Sequence, residues 1–273
     1  MGQSNDQPEY WRRHMSNGNP HPKIALQLYT VRKPAEKNLP ETLKKSRDIG
    51  FEYVQWSGMP NLSAEQIRAE LDKAGLKAIA AHVGVEDFEK DFEANVKFWQ
   101  TVGAKDVAPG GMMGDCTKDL EGWKRGAARL DALGAKLAAL GMRLSYHNHA
   151  HELEKFPEDP RTKLDILYES TSPKNLYCEF DLAWLHIGGV EEAAYLRKYA
   201  NRCPVIHVKD VSKPSLFGKN KFCPLGKGVL PWDEIFAVAE ESKVEWYVYE
   251  QDSCDGDVFD AVRTSYEFLK HNI

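Results

Sequence analysis

Four short segments in the second half of the chain end in side chains that could share one metal ion. They are Tyr146-His147-Asn148-His149 with Glu152 close behind, Glu179-Phe180-Asp181, His207-Val208-Lys209-Asp210 and Tyr249-Glu250. Each follows an apolar run of strand type, and strand parity puts His147 with His149, Glu179 with Asp181, and His207 with Lys209 on shared faces. A lone polar strand terminus is ordinary, since such residues often cap helices or pair with a cation. Several carboxylates gathered at one place are different, because they repel one another unless a cation joins them. Asp181, His207 and Glu250 therefore read as ligands of a divalent ion. Glu152 is the first choice for a fourth ligand and His147 its alternate. Oxygen and nitrogen donors without sulfur suit Mn²⁺, Mg²⁺, Co²⁺ or Zn²⁺.

These residues can converge only if a repeating fold brings the strand ends together. Eight strand candidates run along the chain: Ile24–Thr30, Phe51–Trp56, Lys77–Val83, Lys105–Pro109, Met142–His149, Leu176–Asp181, Cys203–Lys209 and Glu245–Glu250. Helical patterns alternate with them at Leu39–Ile49, Ala64–Ala74, Glu86–Val102, Leu120–Leu140, Thr162–Ser170, Val190–Tyr199, Trp232–Glu241 and Val258–His271. Gly50, Gly75, Gly103 and Gly141 each stand where a helix must stop before the next strand. Repeated strand–helix units in a chain of this length imply a single α/β domain folded as a (β/α)₈ TIM barrel, typically about 250 residues. A doubly wound open sheet would carry a Gly-rich phosphate turn after an early strand, and no G-x-G-x-x-G follows the first two. Met1 to Pro22 is polar and aperiodic, so residues 1–22 read as a flexible lead-in and residues 23–273 as the barrel domain.

The segments IALQLYTVR, YHNHAHE, DLAWLHIGG, VIHVKD and YEQD, in that order, resemble the xylose isomerase-like TIM-barrel superfamily, the sugar phosphate isomerase/epimerase group. The resemblance runs from about Lys23 to the C-terminus. It implies a metal bound by Glu, Asp, His and Glu, which carries over to Asp181, His207 and Glu250. Many epimerases of the group have a glutamate where this chain has His147.

A metal-dependent sugar or polyol isomerase or epimerase, removing a proton next to a metal-bound carbonyl, is the first reading of function. Elimination by a keto-sugar or keto-inositol dehydratase or lyase is the runner-up, because one deprotonated intermediate serves both outcomes. His149 is the preferred base, since imidazole titrates near neutral pH. Lys209 is placed to steady a developing oxyanion, unless it pairs with Asp210 or Glu179, and His147 belongs to the same catalytic group. His82, His186, Trp184, Trp56, Gln27 and Tyr29 are candidate substrate contacts. The two tryptophans could equally be core, His82 could be structural, and His186 could orient the turn before Gly188.

Other classes fit less well. Lys plus Arg number 36 against 41 Asp plus Glu, a formal charge of −5, which disfavours a nucleic-acid partner. An endonuclease IV-like nuclease would also need more histidine and glutamate on early strands, where only His82 stands. A non-catalytic sugar-binding barrel remains a separate class, distinguished by its failure to turn over a keto sugar. No apolar run reaches the roughly 18 residues of a membrane span, so no membrane partner is expected. The five cysteines are dispersed without C-x-x-C, pointing to a reducing, cytoplasmic compartment. The expected partner is a small sugar or polyol, and a homo-oligomer is compatible with all of this.

Overall fold

In a closed parallel barrel one alternate set of side chains faces the axis and the other faces the surrounding helices, so strand pairing decides which residues meet. The computed structural model describes residues 23–212 and 221–273. The lead-in expected over residues 1–22 lies outside them. The strands are β1 (Lys23–Gln27), β2 (Tyr53–Trp56), β3 (Lys77–His82), β4 (Asp106–Ala108), β5 (Arg143–His147), β6 (Leu176–Asp181), β7 (Val205–Val208) and β8 (Trp246–Tyr249). They pair in the order β1-β8-β7-β6-β5-β4-β3-β2 and close on themselves, every neighbour parallel. The (β/α)₈ expectation is met.

Register sets the site. Asp181 lies level with His207, and His147 with Glu179. Inside the barrel, Ala25, Ala80, Val205 and Val248 form a small apolar plug. Two residues further along the same strands stand Gln27, His82, His207 and Glu250, so the interior turns from apolar to polar within one layer. The outward alternates Leu26, Val54, Tyr146, Phe180, Val208 and Tyr249 join the main core beneath the helices. Phe180 packs there against Tyr168, Tyr195 and Tyr199, with ring centres 5.7, 5.5 and 5.8 Å away.

The helices follow the expected units with instructive differences. The helix read over Glu86–Val102 is two, α4 (Val85–Lys90) and α5 (Phe92–Val102), because Asp91 takes extended backbone and its carboxylate caps α5 at Ala94 N. Strand β5 stops at His147 rather than His149, where the chain turns into a 3₁₀ turn at Ala150–Leu153. Short helices follow two strands: α8 (Leu182–Ile187) directly after β6, and α1 (Arg32–Lys37) after β1 through a 3₁₀ turn at Leu28–Val31. The others are α2 (Leu39–Ile49), α3 (Ala64–Ala74), α6 (Leu120–Ala138), α7 (Lys163–Glu169), α9 (Glu192–Lys198), α10 (Trp232–Glu241) and α11 (Val258–Asn272). Gly50, Gly75, Gly103 and Gly141 all take positive φ where helices give way to strands. An antiparallel pair, Asp210–Val211 with Phe222–Cys223, decorates the mouth after β7.

Asp165 ties the outer layer together. Its Oδ1 accepts from the Tyr195 and Tyr199 hydroxyls at 2.7 Å each and from Lys198 Nζ at 2.8 Å. Burial alone would raise its pKa, but these donors hold the carboxyl below its ordinary value. A depressed carboxyl contributes stability above its unfolded pKa, near 3.9, and that contribution is lost as pH falls through the folded value. Asp165→Asn should cost about 1–3 kcal/mol at pH 7. In denaturant titrations at stepped pH, the gap to wild type should narrow below about pH 4. A gap independent of pH would remove the charge from the account.

Candidate active site

The mouth of the barrel opens into a cavity of about 380 Å³ lined by Tyr29, Arg32, Ser57, His82, Gly110, His147, His149, Trp184, Lys209, Glu250 and Asp252. A larger cleft of about 780 Å³ adjoins it, sharing Gly110, His149 and Trp184 and adding Ala150, His151, Leu153, Glu154, Ile187 and Gly188. Below the mouth, the ligand atoms of His147, Asp181, His207 and Glu250 all lie within 4.8 Å of one another. A second such group, deeper in the barrel, is His82, His147, Glu179 and His207.

Strand β6 supplies two acids. Asp181 caps α8, its Oδ1 accepting from Trp184 N at 3.0 Å, while Oδ2 faces the mouth 2.8 Å from Lys209 Nζ. Glu179 lies one layer lower, where Oε1 accepts from His82 Nε2 at 2.6 Å and Oε2 from Gln55 Nε2 at 2.9 Å. Strand β7 supplies His207, with Nδ1 2.8 Å from Glu250 Oε2 and Nε2 2.7 Å from Gln55 Oε1. Lys209, wholly buried, touches Asp181, Glu250 and Asp252 at 2.8, 3.0 and 3.0 Å. Trp184 and Phe222 flank its ammonium.

Charge compensation explains how so many acids share a dry pocket. Burial opposes charge on His207, but Glu179 and Glu250 on either side of the ring raise its pKa to about 10. Burial likewise opposes charge on Lys209, which Asp181, Glu250 and Asp252 hold above its ordinary value. Glu250 and Glu179 stay well below the usual carboxylate range despite burial, Glu250 through Lys209 and His207, Glu179 through His207 and His82. Asp181 is pushed up to about 6 by burial, against the pull of Lys209. His147 is kept neutral by burial and by the charge on His207. His149, mostly buried, is also lowered, chiefly by burial, so its ring is neutral and able to accept a proton.

The structure brings together Asp181, His207, Glu250 and His147, and it sets Glu152 apart. The Glu152 oxygens accept from Tyr146 Oη at 2.9 Å and His149 N at 2.8 Å, with His151 Nε2 3.1 Å away. Glu152 is thus spent on holding the turn that follows β5, and of the two strand-five choices His147 is the one at the mouth. The Asp210 and Glu179 partners considered for Lys209 give way to Asp181, Glu250 and Asp252. Asp210 instead accepts from the Gly226 and Gly228 amides and the Trp232 indole, each at 3.0 Å.

Among the candidate substrate contacts, Tyr29, His82 and Trp184 line the cavity. Gln27 is buried beneath it, 3.5 Å from His82 Nδ1. Trp56 packs in the main core instead, and His186 pairs with Glu192 at 2.7 Å outside the lining. Sequence reasoning passed over Gln55, Arg32 and Asp252. Gln55 precedes a tryptophan at a strand end, and Asp252 stands within YEQD, so position alone could have flagged both. Arg32 lies over the Tyr29 ring and donates to the Tyr29 and Asp252 carbonyls at 2.7 and 2.9 Å.

The group at the mouth fits a divalent ion. It pairs hard carboxylate oxygens with imidazole, and His147 Nδ1 is a buried nitrogen without a hydrogen-bond partner.

Comparison with known proteins places this geometry. The family model of the xylose isomerase-like TIM barrel matches residues 43–271. The chain belongs to that family. An inosose dehydratase from Clostridium perfringens is 26% identical over 230 residues, covering 75% of this chain and 76% of the relative. A sugar phosphate isomerase/epimerase from Parabacteroides distasonis shares the fold with a TM-score of 0.78 at 17% identity, over 94% of this chain and 96% of that one. An L-ribulose 3-epimerase does so at 0.70 and 16%, over 91% and 93%. No described helix is long and apolar enough to cross a membrane.

Replacing His147 with Gln should weaken binding of Mn²⁺, Co²⁺ or Zn²⁺ by more than the roughly 10–100-fold that loss of an outer partner costs. Glu152→Gln should leave affinity near wild type. Calorimetric titration of the two variants checks this, and the reverse ranking would return Glu152 to the ligand set.

Proposed function

We propose that this chain is a divalent-metal-dependent dehydratase of a keto-polyol of the inosose type, acting by removal of a proton from carbon beside a carbonyl. His147, Asp181, His207 and Glu250 would hold the ion. A bound divalent ion supplies Lewis acidity toward a carbonyl oxygen, which makes the adjacent C–H more acidic. Everything else falls to side chains of the chain itself.

The observation that carries the choice of reaction is the one-sidedness of the cleft. His149 stands on the β5 side, neutral and with Nδ1 unpartnered. Elsewhere around the mouth the acids are already engaged: Asp252 with Lys209, Glu250 with Lys209 and His207, and Glu152 with the backbone of its own turn. Epimerisation inverts a carbon and needs proton transfer on both faces. Elimination needs one group: His149 takes the proton from carbon, the C–H electron pair becomes the new C=C bond, and the β-hydroxyl leaves as water with the proton that His149 returns. Lys209 keeps a positive charge at the mouth, where negative charge develops on oxygen. Trp184 offers a flat apolar wall to a ring. The inosose dehydratases among the relatives support the same choice, and the reading placed second from sequence becomes the first. The cytoplasm remains the proposed location, on cysteine usage alone.

The experiment is solvent-deuterium exchange into inososes and other keto sugars, with products followed by mass. Wild type should give a product lighter than the substrate by one water, and reversal of the deprotonation should place deuterium in recovered substrate. His149→Gln should retain its metal and lose roughly 10²–10⁴-fold in turnover. A product that loses no water and carries a solvent deuterium at one inverted carbon would favour the epimerase reading, and full activity in His149→Gln would take the base role away from that residue.

A further inference from the structure

Two overlapping groups of side chains could take the ion, and they share His147 and His207. The choice between them depends on which nitrogen of His207 faces which carboxylate, and a hydrogen-bond relay beneath the mouth decides it.

Glu179 is the base of that relay. A carboxylate only accepts, so His82 Nε2, 2.6 Å from Oε1, is the donor of that pair. Gln55 donates its amide Nε2–H to Glu179 Oε2 at 2.9 Å, which orients the amide and turns Gln55 Oε1 toward His207. That oxygen is an acceptor 2.7 Å from His207 Nε2, so this ring nitrogen carries a hydrogen. The other nitrogen, Nδ1, is 2.8 Å from Glu250 Oε2, which can only accept, so without an ion this nitrogen carries a hydrogen too. His147 lies alongside without such a bond: its Nδ1 is 3.4 Å from Glu179 Oε1 but unpartnered, and its Nε2 is 4.0 Å from Asp181 Oδ2. All of these groups are buried or nearly so, and no described cation other than the imidazoles touches Glu179.

We propose that Glu179 is a positioning residue which, directly and through Gln55, keeps a hydrogen on His207 Nε2. The hydrogen on Nδ1, which faces Glu250, is then the one an ion would displace. An ion at the mouth would be taken through His207 Nδ1, and the second group of His82, His147, Glu179 and His207 would serve as its support. The assignment rests on the metal reading of the site. It goes beyond that reading by naming the donor atom of His207 and the residue that selects it. A carboxylate holding the far nitrogen of a ligating imidazole is a general device for fixing ring orientation. Here one carboxylate would hold the His207 ring twice, directly at 3.1 Å from Nε2 and through an amide.

Zinc gives a diamagnetic probe for the test. In zinc-loaded wild-type protein labelled at histidine, long-range nitrogen–proton spectra should report His207 bound through Nδ1 with a slowly exchanging hydrogen on Nε2. Glu179→Gln should lower zinc affinity by about 10–100-fold. It should also scramble the His207 ring pattern while far-ultraviolet circular dichroism stays unchanged, an outcome a merely structural role would not give. Gln55→Leu should disturb His207 and leave His147 as in wild type, and it serves if Glu179→Gln does not fold. Zinc bound through His207 Nε2, or unaltered affinity and spectra in both variants, would overturn the assignment alone. Failure of the wild-type chain to take up zinc, manganese or cobalt would overturn the metal reading together with it.

Discussion

Three carboxylates, those of Glu179, Asp181 and Glu250, sit in a water-poor barrel mouth, and their neutralisation by His207 and Lys209 is the constraint on which the rest of the structure turns. An unpaired buried charge costs several kcal/mol, so the acids persist only while the cations stand within contact distance. Distance in turn depends on register. Asp181 and His207 are paired residues on adjacent strands, and a slip of one residue would turn either side chain toward the helices. Closure of the barrel is therefore an electrostatic requirement as well as a packing one, because Lys209 follows β7 while its partners come from β6, Glu250 and Asp252.

The opposite end of the barrel handles the same problem with fewer groups. Asp106 on β4 receives two nitrogens of Arg143 on β5, and Arg143 also reaches Glu245 ahead of β8. Burial raises the Asp106 carboxyl, with Arg143 pulling the other way. A planar fork meets two acids there and commits four of its five N–H donors to them. At the mouth the cations are an imidazole and a lysine, groups whose geometry leaves room for an ion and a substrate. Between the two ends, Ala25, Ala80, Val205 and Val248 separate the charged layers, small enough to let the strands approach and apolar enough to keep water out.

Much of this was legible in sequence for a plain reason. Strand and helix periods, with glycine at helix ends, are local signals, and Gly75 and Gly103 stand in the left-handed conformation their positions suggested. Asp181, His207 and Glu250 each end a strand and could be placed together once the strands were counted. What sequence could not decide was commitment elsewhere. Glu152 is as good an oxygen ligand on paper as any, but its donors are the Tyr146 hydroxyl and a backbone amide of its own turn. His186 lies in a motif with Asp181, yet it pairs with Glu192 on the next stretch of chain. Trp56 ends a strand but packs in the main core with the helices. Gln55 carried no chemical signal of its own, since an amide becomes informative only when both its neighbours are known.

Asp181 shows how the site is built into the fold rather than laid upon it. One of its oxygens ends the backbone of α8 by accepting from Trp184 N, and the other faces Lys209. The cap fixes the carboxylate plane, so the second oxygen has little freedom to turn from the mouth. The same bond sets where α8 begins, and thereby holds Trp184 against the cleft, 5.4 Å from the His149 ring and 5.2 Å from Phe222. A single residue thus positions an acid for the ion, a wall for the substrate and a neighbour for the base. Removing the Asp181 side chain would loosen all three together, so loss of activity in such a variant could not be assigned to the ligand role without measuring the helix as well. Glu179 and Gln55 make none of these contacts, so their hydrogen bonds to each other and to His207 do not pass through the Asp181 cap.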